Sequence, residues 1–182
     1  MKTFGESRHG VRGGGFVPSA TSPAIESQED NVREKADQYD ADLLLRLYDL
    51  RREERLRRAR EWFTNEFQAG SLEEYNRECP PGSEKSAFFR MVVSYWDMVG
   101  SIVNHGLIKE EFFFENTSEF FLVWEKIKGF SPKLREAREN SLLWKNLETL
   151  ALNYEQWMSK RAPKALEVFR KRIQEMSAPK SA

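Results

Sequence analysis

The longest apolar segment of the chain lies near its middle, at residues 86–104. Its few polar positions recur at spacings of three and four residues, so on a helix they form one narrow stripe. The stripe consists of Arg90, Ser94, Asp97 and Ser101. A helix that is apolar almost all round is buried. The pattern therefore predicts a central buried helix, which ends near Gly106, a residue suited to the left-handed conformation that follows many helices.

Helical patterns also precede this segment. Helix-forming residues run from about Asp37 to Phe67, and Gly70 then provides a stop signal. Within this run one set of side chains recurs at spacings of three and four residues: Leu45, Tyr48, Arg52, Arg55, Ala59 and Trp62. The spacing predicts that they share one face of a single long helix.

Capping signals and prolines divide the rest of the chain. Capping-box spacing predicts helix starts at Ser71 and Asn116, and first-turn prolines predict starts at Ser131 and Pro163. A further stripe, at spacings of four and three residues, predicts an amphipathic helix through Leu143, Leu147, Leu150, Tyr154 and Trp157. No segment alternates as a strand does. We expect an all-α protein, an irregular bundle of five to six helices.

The composition changes towards both ends. Residues 1–30 are rich in Gly and Ser and contain two prolines, so we expect a flexible N-terminal arm. The helical bundle domain should span residues 31–178, and residues 179–182 should form a frayed C-terminus. Scattered apolar residues in the arm are candidate anchors that dock on a partner protein or a second copy of the chain. They are Phe4, Val11, Phe16, Val17 and Ile25.

The charges balance overall but not locally. The 182 residues include 29 basic and 29 acidic side chains, so net charge gives no bulk attraction to nucleic acid or to an anionic membrane. Residues 51–60, however, hold six arginines against two glutamates. Four of these arginines form a predicted basic patch, which is either a solvated helix face or a surface for phosphates: Arg51, Arg57, Arg58 and Arg60.

The other two arginines fall on the apolar face of the predicted long helix. Arg52 and Arg55 therefore point towards the core, where the polar stripe of the central helix offers a carboxylate in Asp97. A buried guanidinium group needs such a partner. We expect a buried ion pair between Asp97 and one or both arginines. A catalytic Asp97 would need a second reacting group, and none is evident.

Candidate chemistry is otherwise sparse. The single Cys79 excludes an intrachain disulfide, and one Cys with two His gives little basis for a metal site. Phosphate-binding and hydrolase motifs are absent from the sequence. We therefore expect no cofactor, no metal and no enzymatic activity. We also expect no transmembrane segment and a cytoplasmic location, because the chain has neither a long apolar run nor an apolar segment near its start.

Several short motifs together resemble a known group of proteins. They are LYDLRRE at 47–53, AREWF at 59–63, SYWDM at 94–98, GLI at 106–108, Phe113 and FLVW at 121–124. With these motifs, residues 40–155 resemble small uncharacterised bacterial helical proteins that are described as a domain of unknown function. The resemblance implies an all-helical bacterial cytoplasmic protein. It implies no activity and no catalytic residues.

The function we expect is that of a non-enzymatic protein-interaction module, a small accessory or scaffolding subunit of a bacterial assembly. Protein partners or self-association fit the apolar-rich bundle, the separated charges and the loose arm. Two alternatives stay open. One is nucleic-acid binding through the Arg-rich helix at residues 51–60, and the other is a carrier that holds an apolar ligand in its aromatic core.

Overall fold

The computed structural model describes residues 35–177, apart from the side chains of residues 174, 176 and 177. Within these residues the chain forms nine helices and no strand. They are α1 Gln38–Leu50, α2 Glu54–Asn65, α3 Leu72–Glu78, α4 Glu84–Asn104, α5 Glu110–Asn116, α6 Glu119–Ile127, α7 Ser131–Ala137, α8 Lys145–Arg161 and α9 Pro163–Ser177. The predicted all-α class is confirmed.

The number of helices was predicted wrongly for two reasons. The run from Asp37 to Phe67 is two helices, because α1 ends at Leu50 and the side chain of Glu53 accepts a hydrogen bond from the Leu56 N–H to begin α2. In addition, α3, α5 and α7 are helices of only seven residues each. The structure therefore has more and shorter helices than the five to six expected.

The central helix is α4, as its apolar pattern predicts. It begins at Ser83, whose side chain accepts from the Ser86 N–H at 3.1 Å, and it ends before Gly106, which has a φ of 69°. Its largest interfaces are with α8 and α2. The polar stripe lies where the helix is least covered, since Arg90 and Ser94 are exposed and Asp97 is only half-buried.

Aromatic side chains fill the core in two groups, each of which includes a side chain of α4. One group surrounds Phe89 and includes Phe63, Phe67, Tyr75, Phe130 and Trp144. A second group surrounds Phe120 and includes Trp96, Phe113, Phe114 and Tyr154. Phe89 and Phe120 are both fully buried. The aromatic residues thus act mainly as packing, which fixes the helices that carry the surface described below.

Of the four helix starts predicted from capping signals and prolines, three are confirmed and one is wrong. Ser71 caps α3, and Pro163 is the first residue of α9. Asn116, however, is the last residue of α5, where its side-chain amide donates to the Phe112 carbonyl at 2.7 Å. The start at Ser131 is confirmed, because Ser131 is the first residue of α7. Its hydroxyl donates to the Ile127 carbonyl at 2.8 Å, so it does not cap that helix.

Candidate functional site

Helix α1 is attached to the bundle at both ends. Near its start the buried carboxylate of Asp40 accepts from the backbone N–H of Lys109 at 2.7 Å, just before α5. Near its end the Tyr95 hydroxyl of α4 donates to the Leu47 carbonyl at 2.7 Å. Burial raises the pKa of the Tyr95 hydroxyl, so this donor stays protonated. These two contacts hold α1 in place although most of its side chains are half-buried or exposed.

An ion cluster follows directly after α1. Glu119, in the first turn of α6, accepts from Arg51 Nη2 at 2.5 Å and from Arg60 Nε at 2.6 Å, and Arg60 Nη2 also contacts it. The three side chains are 15–23% exposed. The hydrogen bonds to Glu119 raise the pKa of Arg60. The cluster joins α2 and the α1–α2 connection to α6.

Between these anchors lies the pocket we call the α1 pocket. Its volume is about 220 Å³. Its lining comes from α1, α4, α5 and the adjoining connections: Leu44, Leu45, Leu47, Tyr48, Arg51, Tyr95, Trp96, Phe113, Asn116 and Thr117. The walls are mostly aromatic and aliphatic, and Arg51 contributes the one cationic side chain among them. An apolar pocket with a few polar groups is the usual form of a binding site.

The guanidinium group of Arg51 lies close to two aromatic rings of this pocket. Its central carbon is 5.6 Å from the centroid of the Tyr48 ring and 5.1 Å from that of the Trp96 ring. Cation–π contacts of this kind position a guanidinium group at an apolar surface. Arg51 is therefore held both by its pair with Glu119 and by the pocket walls.

The pocket opens beside exposed apolar side chains of α1. Leu45 is 62% exposed and Tyr48 is 55% exposed, and both line the pocket as well. Tyr39 and Leu50 are also more than half exposed, but at 100° per residue they lie on the opposite side of the helix from Leu45 and Tyr48. A helix with apolar side chains on its outer face as well as its inner face presents a contact surface. We call the exposed side of α1 that carries Leu45 and Tyr48 the α1 surface.

The predicted ion pair of Asp97 with Arg52 or Arg55 is wrong. Both arginines are exposed, and Asp97 Oδ1 instead accepts from the backbone N–H of Leu147 at 3.0 Å. The error follows from the break after Leu50, because the spacing places these arginines on the buried face only if the helix is continuous.

Asp97 belongs to a contact between α4 and the start of α8. Partial burial raises the pKa of its carboxyl group, although the backbone N–H groups of α8 oppose that shift. Asn104 donates to the Asn146 carbonyl at 3.0 Å. Between them Gly100 lets the helices approach so closely that a Cβ atom there would lie 2.7 Å from the Asn146 oxygen. Asp97 is thus a helix-capping residue in this structure.

The predicted basic patch is divided by the structure. Arg57 and Arg58 are exposed, and Arg58 lies 3.9 Å from Glu84. Arg51 and Arg60 instead take part in the ion cluster and are partly buried. The four arginines therefore do not form one solvent-exposed surface.

Sequence reasoning missed a buried lysine. Lys126 is 8% exposed and donates to the carbonyl groups of Phe63, Thr64 and Phe67 at 2.9–3.0 Å, where α2 ends. Burial lowers its pKa to about 8. A lysine within the apolar run of α6 was the available signal, because a cation there needs a set of buried acceptors.

In the part of the chain that the structure describes, the remaining candidate residues form neither a metal-ligand cluster nor an accessible thiol site. Cys79 is buried, and burial raises the pKa of its thiol to about 11. Residues 35–177 contain no group of three or more potential metal-ligating side chains and no helix suited to crossing a membrane. The predicted docking anchors Phe4, Val11, Phe16, Val17 and Ile25 lie outside the described residues.

One family model matches most of the helical part of the chain. The model of the family described as a domain of unknown function, DUF4760, matches residues 38–157. The chain belongs to this family. The match runs from the start of α1 into α8, so the DUF4760 region contains the ion cluster and the whole α1 pocket. The resemblance to a domain of unknown function is confirmed. Neither a curated protein nor a solved structure matches the chain significantly.

Proposed function

We propose that this protein is a non-enzymatic interaction module that binds a partner protein through the α1 surface and the α1 pocket. One observation carries the proposal. The exposed side chains of Leu45 and Tyr48 line an apolar pocket, so a partner could bury both the pocket and its rim in one contact. Contacts of this kind, in which an apolar anchor fills a pocket, supply most of the energy of many interfaces.

The attachment of α1 supports the same proposal. Asp40, Tyr95 and Arg51 fix the helix by polar contacts, so the pocket is formed before a partner binds. A preformed site avoids part of the entropy cost of association. The bacterial origin, cytoplasmic location and accessory or scaffolding role expected from the sequence are further parts of this proposal.

Site-specific photo-crosslinking in cells tests the proposal. A photoreactive amino acid at position 45 should crosslink one recurrent protein, because this position lies at the rim of the pocket. The matched control is position 142, since Leu142 is 75% exposed and is not among the residues that line the α1 pocket. Equal crosslinking from both positions, or none from position 45, would count against the α1 surface.

The two alternatives stay predictions of their own. Nucleic-acid binding would now depend on the exposed Arg52, Arg55, Arg57 and Arg58, and salt-dependent retention on immobilised DNA or RNA would test it. An apolar ligand would occupy the α1 pocket, because the aromatic rings of the core pack against one another. Mass spectrometry of a denatured extract would detect such a ligand.

A further inference from the structure

The ion cluster next to the α1 pocket contains more positive than negative charge. Arg51 and Arg60 contribute two cations, and the single carboxylate they share is that of Glu119, so the cluster retains one positive charge. The cluster is partly buried, which limits the screening of this charge by solvent. An anion bound at the pocket would neutralise this remaining positive charge.

Some donors beside the pocket are weakly bonded or lack an acceptor. Arg51 uses Nη2 for Glu119, but its Nη1 reaches Thr117 Oγ1 only at a long 3.4 Å, and its buried Nε has no hydrogen-bond partner among the described residues. The buried indole Nε1 of Trp96 has none there either. Buried donors without acceptors are unfavourable. Both of these atoms are closed to solvent, so the donor that a ligand in the pocket could use is the weakly bonded Nη1 of Arg51. A carboxylate would supply both an acceptor oxygen for it and the negative charge.

We propose that the α1 pocket binds the C-terminal residue of a partner protein, with its apolar side chain against the aromatic walls and its α-carboxylate at Arg51. This inference rests on the proposed function. A C-terminal residue carries both groups on one Cα atom, so it suits a pocket in which Arg51 adjoins Trp96. The pocket volume of about 220 Å³ is below the roughly 300–1,000 Å³ of most small-molecule sites, which favours one residue.

Fluorescence polarisation with the full-length chain tests this recognition. The probes are fluorescein-labelled Gly-Ser peptides that end in Leu or Phe, each made with a free C-terminal carboxylate and with a C-terminal amide. The free acid should bind about ten-fold to a hundred-fold more tightly, since a hydrogen bond to a charged group is lost in the amide. Equal affinities of acid and amide would overturn the proposal.

Two variants test whether the preference for the free acid depends on the α1 pocket. Arg51→Gln should reduce the affinity of the acid to that of the amide, whereas Arg52→Gln, which changes an exposed neighbour, should not alter either. If Arg51→Gln fails to fold, Leu44→Trp provides a second variant, because it fills the pocket while Arg51, Arg60 and Glu119 are all retained. Leu44→Trp should abolish binding of the acid with unchanged circular dichroism. Undiminished binding by the folded variant would contradict the proposal.

A competition experiment distinguishes a peptide C-terminus from a free amphipathic acid, since both carry a carboxylate and an apolar group. Decanoate carries a carboxylate on an apolar chain without a peptide, and it should compete only weakly with the peptide acids. If decanoate binds and the peptides do not, the site takes a free amphipathic acid and the inference is wrong. If no probe binds, the inference is also wrong, while crosslinking from position 45 decides the proposed function separately.

Discussion

Glu119 pairs with Arg51 at 2.5 Å and thereby joins the first turn of α6 to the end of α1. The same carboxylate also binds Arg60 of α2. One acidic side chain thus holds two basic ones, of which Arg51 lines the α1 pocket.

Removal of this carboxylate should therefore destabilise the fold. Glu119→Gln leaves two partly buried guanidinium groups without their anion, and we expect it to lower the free energy of unfolding by about 2–3 kcal/mol. Urea denaturation measures the change. Glu115→Gln is the matched control, because Glu115 is exposed at the end of α5, and it should stay within about 0.5 kcal/mol of the wild type. A similar result for both variants would show that the cluster has no structural role.

The capping role of Asp97 predicts a second pattern of stability. Asp97→Ala leaves the Leu147 N–H without its acceptor at the start of α8, which should cost about 1–2 kcal/mol. Arg52→Ala and Arg55→Ala should each change the unfolding free energy by less than about 0.5 kcal/mol, because both side chains are exposed. A large loss in either arginine variant would instead indicate an ion pair with Asp97.

The close approach of α4 and α8 requires glycine at position 100. In Gly100→Ala the new Cβ would lie 2.7 Å from the Asn146 oxygen and 2.8 Å from its carbonyl carbon, and backbone atoms cannot move aside cheaply. We expect a loss of about 2–3 kcal/mol in urea denaturation, typical of overpacking. Gly70→Ala meets only a side-chain oxygen at 3.7 Å and serves as the control. Equal tolerance of the two substitutions would disprove the close contact.

Lys126 predicts a pH dependence of stability. Its pKa is about 8 in the folded chain, whereas the ordinary pKa of a lysine side chain is 10.5, so between these pH values the unfolded chain binds more protons. Stability then rises with pH across this window, as the charge is removed from the buried site. The stability of the wild type relative to Lys126→Met, measured in urea, should therefore increase from pH 7.5 to about pH 10.

A neighbouring lysine provides the control for this measurement. Lys128 pairs with Glu125 and its side chain is 44% exposed. The stability of the wild type relative to Lys128→Met should change little over the same pH range. A pH-independent difference for Lys126→Met would mean that the pKa of Lys126 is not lowered in the folded chain.

The sequence was sufficient for the helical class and for the buried central helix, because both follow from local periodicity. It was insufficient at the break between α1 and α2. The residues around Glu53 include neither proline nor glycine, and the break is stabilised by the Glu53 cap and by the distant Glu119. Since the face of each residue depends on helix continuity, the exposed Leu45 and Tyr48 were predicted on the buried face.

The site itself was only partly accessible to sequence reasoning. Arg51 and Arg60 stood out in an arginine-rich run, but their partner lies about sixty residues further along the chain. Local spacing could assign Glu119 only to a capping box. Likewise, the polar stripe of α4 predicted that Asp97 has a partner, and that partner is a backbone N–H group, which no residue pattern identifies.

The central claim is that the α1 surface binds a partner, and one affinity comparison tests it most directly. The protein crosslinked from position 45 is purified, and its affinity is measured for the wild type, Leu45→Glu and Leu142→Glu. Both leucines are exposed, so both variants should fold. We expect Leu45→Glu to weaken binding at least ten-fold, because it places a charge on the pocket rim, and Leu142→Glu to bind as the wild type does. Wild-type affinity in Leu45→Glu would contradict the account.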